Sequence, residues 1–209
     1  YAIQWHYPLI NLPQAWEVTK GDSDVIVAVI DTGILSLHPD IIGQLTADGY
    51  DFISLTAISN DGDAEDDDPE DPGDQMQGGS SFHGTHVSGT VAAASNNGIG
   101  VAGIAYEAKI MALRALGVGG GLSSDIMKCI EYAAGLTIAP DPIPNQPADV
   151  INMSLGGGSP SQAEQTIIND ARAAGVIIVA AAGNEGTSAR SYPASYDGVI
   201  SVSAVGPDK

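Results

Sequence analysis

Two uninterrupted apolar runs constrain the fold of this chain more than any other feature. They are VIVAVI over residues 25–30 and VIIVAA over residues 176–181. A run that is apolar at every position predicts a strand buried on both faces of a parallel sheet, because a strand with one solvated face alternates apolar and polar residues. Residues 108–113, 149–153 and 199–205 also have strand character. The sequence therefore predicts five strands.

Helix-prone segments lie between these strands. One follows His83, a second is predicted over residues 124–135, and a third over residues 161–175. Strands that alternate with helices predict an α/β fold, here a doubly wound, mainly parallel β-sheet with helices on both faces. For a chain of 209 residues we expect a single domain, residues 1–209, with residues 1–23 as an N-terminal arm that lies on it.

Charge and hydropathy limit the partners of the chain. It has 7 basic and 26 acidic residues, a formal net charge of −19, which would repel a phosphate backbone or an anionic membrane surface. No apolar run approaches the length of a membrane-spanning helix. We therefore expect neither nucleic acid nor a membrane as a partner. The first residues lack the features of a signal peptide and are interpreted as mature protein. The single cysteine, Cys129, is expected to be a buried free thiol.

Three polar residues stand at strand ends or at a helix start. Asp31 ends the first predicted strand, His83 opens the helix of HGTHVSGT, and Asn184 follows VIIVAA closely. The strand ends of a parallel sheet converge on one edge, where open α/β sheets bind ligands. A histidine titrates near neutrality and can take and return a proton. Taken singly, each residue is also consistent with a structural role. A zinc pair of His83 and His86 is a further alternative, but no third ligand or intervening glutamate supports it.

Residues 48–75 are dominated in their second half by carboxylates, glycine and proline. Such a stretch is either a solvated charge run or a loop that binds a cation through oxygen ligands. It is not an EF-hand, because the required spacing and the glycine at the sixth position are absent. Both interpretations stay open for residues 61–74, called the acidic loop below, with Asp61 and Asp63 as its candidate calcium ligands.

Four motifs of the chain occur in the order in which one known family has them. VIVAVIDTGI, HGTHVSGT, VINMSLGG and VAAAGNEG resemble the subtilisin-like serine proteases, or subtilases. The resemblance extends from about residue 25 to residue 205, and the acidic loop with QWHY near the start further resembles the extracellular subtilases of Gram-negative bacteria. It implies a subtilisin-like fold and a secreted, extracellular serine endopeptidase that hydrolyses protein and peptide substrates.

The resemblance assigns a role to each of the three polar residues. Asp31 would orient the imidazole, His83 would act as general base and then as general acid, and Asn184 would donate an amide hydrogen bond to the oxyanion. Residues 119–121 resemble the strand that pairs with an extended peptide, and two further segments resemble the walls of the primary specificity pocket. The implied substrate-binding residues are Leu116, Gly119, Gly120, Gly121, Ser154, Leu155, Gly156, Gly157, Ala181, Ala182 and Gly183.

The resemblance also implies a structural calcium ion. Asp40 and Asn97 match ligating positions of the family, with the backbone carbonyl groups of Ile99 and Val101 as companions. Calcium is therefore the expected cofactor, and the acidic loop is a second candidate site for it.

The nucleophile of the family lies in a G-T-S-M-A motif on a later helix, and this motif does not occur in the 209 residues. We therefore expect the C-terminal part of the catalytic domain, with its serine, in a separate or missing segment beyond Lys209. The chain is then part of a cleaved protease with the serine-bearing fragment as its partner, or a truncated part of one, inactive alone in acyl transfer. A degenerate homologue that acts as a peptide- or calcium-binding module is the remaining alternative.

Overall fold

A computed structural model describes residues 3–207, and residues 1, 2, 208 and 209 of the predicted domain lie outside the described residues. One parallel sheet organises the described chain. Its six strands are β1 (Ile26–Asp31), β2 (Tyr50–Asp51), β3 (Lys109–Arg114), β4 (Val150–Met153), β5 (Ile177–Ala181) and β6 (Ile200–Val202). The helices of the described chain are α1 (His6–Leu9), α2 (Leu12–Ala15), α3 (Thr56–Ser59), α4 (His83–Ala92), α5 (Ser123–Ala133) and α6 (Gln162–Ala173).

The strands are arranged in the order β2-β3-β1-β4-β5-β6. The five predicted strands are confirmed, whereas β2 was not predicted, because a strand of two residues in a polar segment has no periodic pattern. After β1 the chain forms β2 and β3 on one side of that strand and then β4, β5 and β6 on the other, so β1 lies at the point where the strand order reverses. In open α/β sheets this point is a crevice at the carboxyl ends of the strands. The topology therefore places Asp31 there.

Helices cover both faces of the sheet, as predicted. On one face α5 and α6 bury the larger core, which contains Ile130 and Ile168 from the helices and Ile30, Leu113 and Ile151 from the strands. On the other face the smaller core lies between α4 and the strands β1 and β3. Burying this apolar surface is the main favourable term in folding, at roughly 25 cal/mol per Å². The doubly wound α/β architecture is confirmed.

The face that α4 covers is bare over the other half of the sheet. On β5, Ile178 is buried at 1% exposure, while Ile177, which points to the opposite face, is 51% exposed. On β6, Ile200 and Val202 are 53% and 50% exposed. The expectation that VIIVAA is buried on both faces is therefore wrong for the described chain. The reason is that no helix of residues 3–207 packs on that half of this face.

The N-terminal residues lie against the loop that follows α4. Tyr7 is buried, and its hydroxyl group donates to the carbonyl oxygen of Ala102. Gln4 donates to the same carbonyl oxygen over 2.8 Å and accepts from the Ala102 N–H over 3.1 Å. The indole N–H of Trp16 donates to the carbonyl oxygen of Ile104 over 2.7 Å. Within residues 3–207, no helix is long and apolar enough to cross a membrane.

Candidate active site

The imidazole of His83 and the carboxylate of Asp31 form one hydrogen-bonded pair. Asp31 is the last residue of β1 and is almost fully buried, and His83 is the first residue of α4. The distance between His83 Nδ1 and Asp31 Oδ1 is 2.7 Å, and the same oxygen accepts from the Thr32 N–H over 2.8 Å. The side chain of His83 is 46% exposed, whereas that of Asp31 is 1% exposed. One ring nitrogen is therefore held inside the protein while the other is open to a substrate.

The environment of His83 favours its protonated form. The hydrogen bond to Asp31 raises the pKa of the imidazole, burial acts against this rise, and the negative charges of Asp31 and Asp74 add to it. An imidazole whose pKa is raised from near neutrality is a stronger base at the pH where it is still unprotonated. The pair can therefore accept a proton and hold it as an imidazolium ion beside a carboxylate.

Asn184 lies just beyond the carboxyl end of β5, in an exposed loop at the same edge of the sheet as Asp31. Its amide makes no hydrogen bond to the described residues, so its N–H groups are free to donate to a ligand. The structure therefore places Asn184 at the predicted edge but does not join it to the His83 pair.

A cleft of about 450 Å³ opens at this edge, between the loops after β3 and β4 and the start of α5. Since β3 and β4 flank β1, these loops flank Asp31. The N–H of Leu116 donates to the carbonyl oxygen of Asp31 over 3.1 Å, which joins the cleft to the His83–Asp31 pair. Eight of the implied substrate-binding residues line the cleft: Leu116, Gly119, Gly120, Gly121, Ser154, Leu155, Gly156 and Gly157.

Ala181, Ala182 and Gly183, the other implied wall, are not among the described residues that line this cleft. Ala181 borders it from behind, because a Cβ atom on Gly156 would lie 3.9 Å from the Ala181 carbonyl oxygen. The same Cβ would lie only 2.7 Å from Ser191 Oγ, so a larger residue here would displace the Ser191 side chain. Apolar side chains that the sequence reasoning missed also line the cleft, including Ile126 and Tyr192. The apolar face of α5 was a signal for Ile126, but such a face is equally typical of core residues.

The residues predicted to hold calcium near the N-terminal arm lie together. The buried carboxylate of Asp40 accepts from Asn97 Nδ2 over 2.7 Å and from the Val101 N–H over 2.8 Å. Asn97 Oδ1 accepts from the Ile99 N–H over 3.2 Å. Among residues 3–207, no hydrogen bond reaches the carbonyl oxygens of Ile99 and Val101, so both are available as ligands. The donor set consists of oxygen atoms, which suits a hard cation such as Ca²⁺.

The acidic loop meets a cation from the protein itself. The guanidinium group of Arg114, at the end of β3, is 1% exposed and forms ion pairs with Asp51 and Asp61. It also donates to the carbonyl oxygen of Ser59. Asp61 is therefore already neutralised, while Asp63 is exposed, and calcium binding by these two residues stays a prediction. No group of three His, Cys, Asp or Glu side chains in the described part of the chain is close enough to hold a metal ion.

Sequence reasoning missed Arg114, although a signal was present. Only 7 residues of the chain are basic, and a basic residue that directly follows a buried apolar run, here IMAL over residues 110–113, must find a buried counter-charge. Which carboxylates serve is decided by β2, the strand that could not be predicted, because it pairs with β3 and brings Asp51 opposite Arg114.

Comparisons with known proteins agree with this geometry. The model of the subtilase family, peptidase S8, matches residues 22–209. An extracellular basic protease of Dichelobacter nodosus is 42% identical over 226 residues, which cover 99% of this chain and 37% of that protein. An extracellular protease of Xanthomonas campestris pv. campestris is 45% identical over 207 residues, which cover 93% of this chain and 35% of that protein.

A solved structure titled as the proteases from Pseudoalteromonas arctica PAMC 21717 superposes with a TM-score of 0.93 at 47% identity. The match covers 100% of this chain and 65% of that chain. The chain thus spans 37% and 35% of the length of the two curated relatives. Because the family model matches most of its residues and the fold agrees with that of a solved protease, the chain belongs to the subtilase family.

Proposed function

We propose that this chain carries the general base, its orienting carboxylate and an oxyanion donor of a serine endopeptidase whose nucleophilic serine lies beyond residue 209. The observation that carries the proposal is the 2.7 Å hydrogen bond between His83 and Asp31, joined through Leu116 to the wall of a cleft. On this proposal residues 1–209 are an incomplete catalytic domain, and the serine-bearing segment is its partner.

Each proposed role follows from the chemistry of acyl transfer. Asp31 holds the Nδ1–H tautomer of His83, which leaves Nε2 to take the proton of the serine hydroxyl group as it attacks the peptide carbonyl. The buried carboxylate stabilises the imidazolium ion that forms, and His83 then returns the proton to the leaving amine. The amide of Asn184 donates to the oxyanion, whose charge is larger in the transition state than in the substrate.

The cleft supports an extended peptide as the substrate. Backbone groups of residues 119–121 are exposed at its edge, and residues 154–157 form its opposite side. Residues 119–121 lie in a turn that closes on an isolated bridge between Gly117 and Gly120 rather than in a strand. We propose that their backbone pairs with the peptide through main-chain hydrogen bonds, which are nearly independent of the peptide's side chains. We therefore propose proteins and peptides of varied sequence as substrates, with Ala181, Ala182 and Gly183 completing the specificity pocket once the serine-bearing segment is in place.

The exposed apolar half of the sheet supports the proposal that the serine-bearing segment packs against this chain. Ile177, Ile200 and Val202 form an apolar surface on the face of α4, and each is about half exposed. An apolar surface on the inner side of a sheet is stable only when another element covers it. We propose that the serine-bearing segment packs there, which would carry its serine toward His83.

Labelling of the full-length protein with a serine-directed phosphonate tests the proposed function. We expect stoichiometric loss of peptidase activity, a label on a residue beyond residue 209, and no immediate loss of activity with a zinc chelator. A full-length protein that binds peptides but is not labelled would instead be a peptide-binding module. Labelling of a serine within residues 1–209 would contradict the proposed location of the nucleophile.

Asn184→Ala should lower kcat with little change in KM, because the lost hydrogen bond is made in the transition state. The expected loss is about 10²- to 10³-fold, a magnitude known from the equivalent asparagine of subtilisin, a member of the same family. The matched control is Asn169→Ala, which removes an amide from the exposed surface of α6. Steady-state kinetics of the two variants would measure the difference, and equal kcat values would contradict the role of Asn184.

We propose a structural calcium ion held by Asp40, Asn97 and the carbonyl groups of Ile99 and Val101. Calcium saturating to 100 times its Kd should stabilise the wild type by about 2.7 kcal/mol, which raises Tm by roughly 5–10 °C in a protein of this size. Asp40→Ala should lose this calcium-dependent rise, whereas Asp170→Ala on α6 should keep it. Thermal unfolding with and without calcium measures the rise, and an unchanged rise in Asp40→Ala would contradict the site.

Free calcium is plentiful outside cells, and the curated relatives are named extracellular, so we propose an extracellular protein.

A further inference from the structure

The acidic loop does not stay at the surface along its whole length. Its second half returns to the carboxyl end of β1, where the N–H of Ile34 donates to the carbonyl oxygen of Pro69 over 3.0 Å. The N–H of Asp71 donates to the carbonyl oxygen of Ile34, also over 3.0 Å. This pairing brings two carboxylates of the loop close to the His83–Asp31 pair: Asp71 contacts Thr32, which follows Asp31, and Asp74 contacts Ser81, two residues before His83.

Asp71 is nearly buried, at 8% exposure. Its Oδ2 atom accepts from Ser80 Oγ over 2.6 Å and from Thr32 Oγ1 over 3.2 Å, and its Oδ1 atom accepts from the Gly73 N–H over 2.9 Å. Hydrogen bonds to a charged acceptor are the stronger kind, and a buried carboxylate needs them to offset its desolvation. Asp71 therefore fixes Thr32 and Ser80 in place.

Thr32 passes this constraint to both members of the pair. Its N–H donates to Asp31 Oδ1 over 2.8 Å, and its Oγ1 atom accepts from the N–H of Gly84 over 3.0 Å. Gly84 follows His83 directly in α4. A Cβ atom at Gly84 would lie 2.2 Å from the carbonyl oxygen of Gly33, so the start of α4 lies directly against the end of β1. One threonine thus joins the orienting carboxylate to the backbone of the base.

Asp74 holds the backbone of His83 from the other side. Its carboxylate accepts from the N–H of Ser81 over 2.7 Å and from Ser81 Oγ over 2.5 Å, and Ser81 Oγ accepts from the N–H of His83 over 3.3 Å. Phe82 between them has a φ of 54° in the left-handed region, and no side-chain hydrogen bond caps α4 at that residue. Ser81 and Thr32 therefore supply the hydrogen bonds that an ordinary cap would supply.

We propose that Asp71 and Asp74, at the end of the acidic loop, are positioning residues that hold His83 and Asp31 in register for proton transfer. The inference rests on the proposed function of the pair. On this proposal the acidic loop has two parts with different roles. Asp61 anchors the loop to Arg114, whereas Asp71 and Asp74 support the active site. Proton transfer depends steeply on geometry, so the support given to the first residue of α4 affects the rate.

Asp74 also acts on His83 through its charge. Partial burial acts to raise the pKa of Asp74, but the hydrogen bonds from Ser81 outweigh it and hold that pKa below its ordinary value. Asp74 is therefore ionised where the enzyme would work. The charged groups that act on His83 are Asp31, from the end of β1, and Asp74, from the acidic loop, and both raise its pKa.

The first experiment is the pH dependence of kcat/KM for the full-length Asp74→Asn variant. Activity needs neutral His83 and falls as the pH drops through the pKa of the free enzyme's base. Since Asp74→Asn removes a charge that raises this pKa, the acid limb of the profile should move to lower pH. An NMR titration of the His83 ring in the same variant should show the same shift without depending on turnover. The matched control is Asp67→Asn, which removes one charge from an exposed position of the same loop.

The second experiment separates kcat from KM at Asp71. Asp71→Ala should lower kcat by about tenfold to a hundredfold, because it loosens both Thr32 and Ser80 around the base. KM should stay within about twofold, since neither Thr32 nor Ser80 is among the described residues that line the cleft. Asp71→Asn keeps the shape and one acceptor oxygen and should recover part of kcat. If Asp71→Ala fails to fold, Asp71→Asn and the Asp74 experiment still decide the proposal.

The results distinguish this inference from the proposed function. A wild-type protein without phosphonate-sensitive activity would contradict the proposed function. If the wild type is active but Asp74→Asn and Asp67→Asn have the same acid limb and the same His83 titration, the inference is overturned and the proposed function is not. If Asp71→Ala lowers kcat and raises KM by similar factors, and Asp71→Asn does not recover kcat, Asp71 has a structural role only.

Discussion

Replacing His83 with alanine should remove nearly all peptide hydrolysis by the full-length protein while leaving its fold intact. In the proposed mechanism the imidazole both accepts the hydroxyl proton and protonates the leaving amine, and within residues 3–207 no other side chain is hydrogen-bonded to the Asp31 carboxylate. The expected loss in kcat is about 10⁶-fold, a magnitude known from the corresponding substitution in subtilisin, which belongs to the same family. Because the His83 side chain is 46% exposed, its removal leaves no sizeable cavity, and Tm should change little.

His86→Gln is the matched control for this prediction. His86 lies three residues later on α4, and its side chain is exposed. In a zinc site built on both histidines, the two substitutions would be equally damaging. In the proposed mechanism His86→Gln keeps most of the activity. The double variant Asp31→Ala with His83→Ala should be no worse than His83→Ala alone, because the two residues act as a unit. Additive losses measured by steady-state kinetics would contradict the pairing.

Arg114→Met should destabilise the full-length protein by about 3–5 kcal/mol, the range for breaking a buried ion pair by removing one partner. Arg114 is 1% exposed and Asp51 is fully buried, so the substitution leaves the Asp51 carboxyl group, whose pKa burial already raises to about 7 against the opposing effect of Arg114, without its counter-charge inside the protein. It also frees Asp61 and the carbonyl oxygen of Ser59, so the acidic loop loses its anchor. For a domain of this size the loss corresponds to a Tm lower by roughly 6–20 °C.

Lys128→Met is the control for the Arg114 prediction. Lys128 pairs with Glu65 of the same acidic loop, but its side chain is 47% exposed, and such pairs contribute at most about 1 kcal/mol. Adding Asp51→Leu to Arg114→Met should recover much of the stability, because it removes the unpaired charge. Thermal and denaturant unfolding of the three variants would measure these differences. If Arg114→Met costs no more than Lys128→Met, the guanidinium group is not the anchor of the loop.

The pH dependence of this anchor has a definite sign. Burial acts to raise the pKa of Asp61, but hydrogen bonds from Ser59 and from the Asp63 N–H, with the charge of Arg114, lower it to about 2. A carboxyl group whose pKa is depressed in the folded state stabilises the protein above its unfolded pKa of about 4. The contribution of Asp61 is therefore lost as the pH falls from about 4 to about 2, and this loss should be smaller in Arg114→Met.

Much of the fold followed from local patterns. The apolar runs that became β1 and β5 identified strands of a parallel sheet, because such runs are typical of strands with both faces covered, although of these two strands only β1 is buried on both faces within the described residues. Asp31 could be placed at the edge of that sheet because it follows its run directly. The same logic placed His83 at a helix start and Asn184 beyond a strand. The hydrogen bond between Asp31 and His83 is the element of the site that the motifs implied most directly.

Other features were decided only by the tertiary structure. Arg114 meets Asp51 and Asp61, which are 63 and 53 residues away in sequence, and Asp71 reaches Thr32 across 39 residues. The acidic loop contains many Asp and Glu residues that local sequence cannot tell apart. From the sequence we assigned two of them to calcium and none to Arg114 or Thr32. The physical reason is the range of the interactions. Periodicity records which residues are buried within one element, whereas the partner of a buried charge depends on strand order and loop path, which no local pattern records.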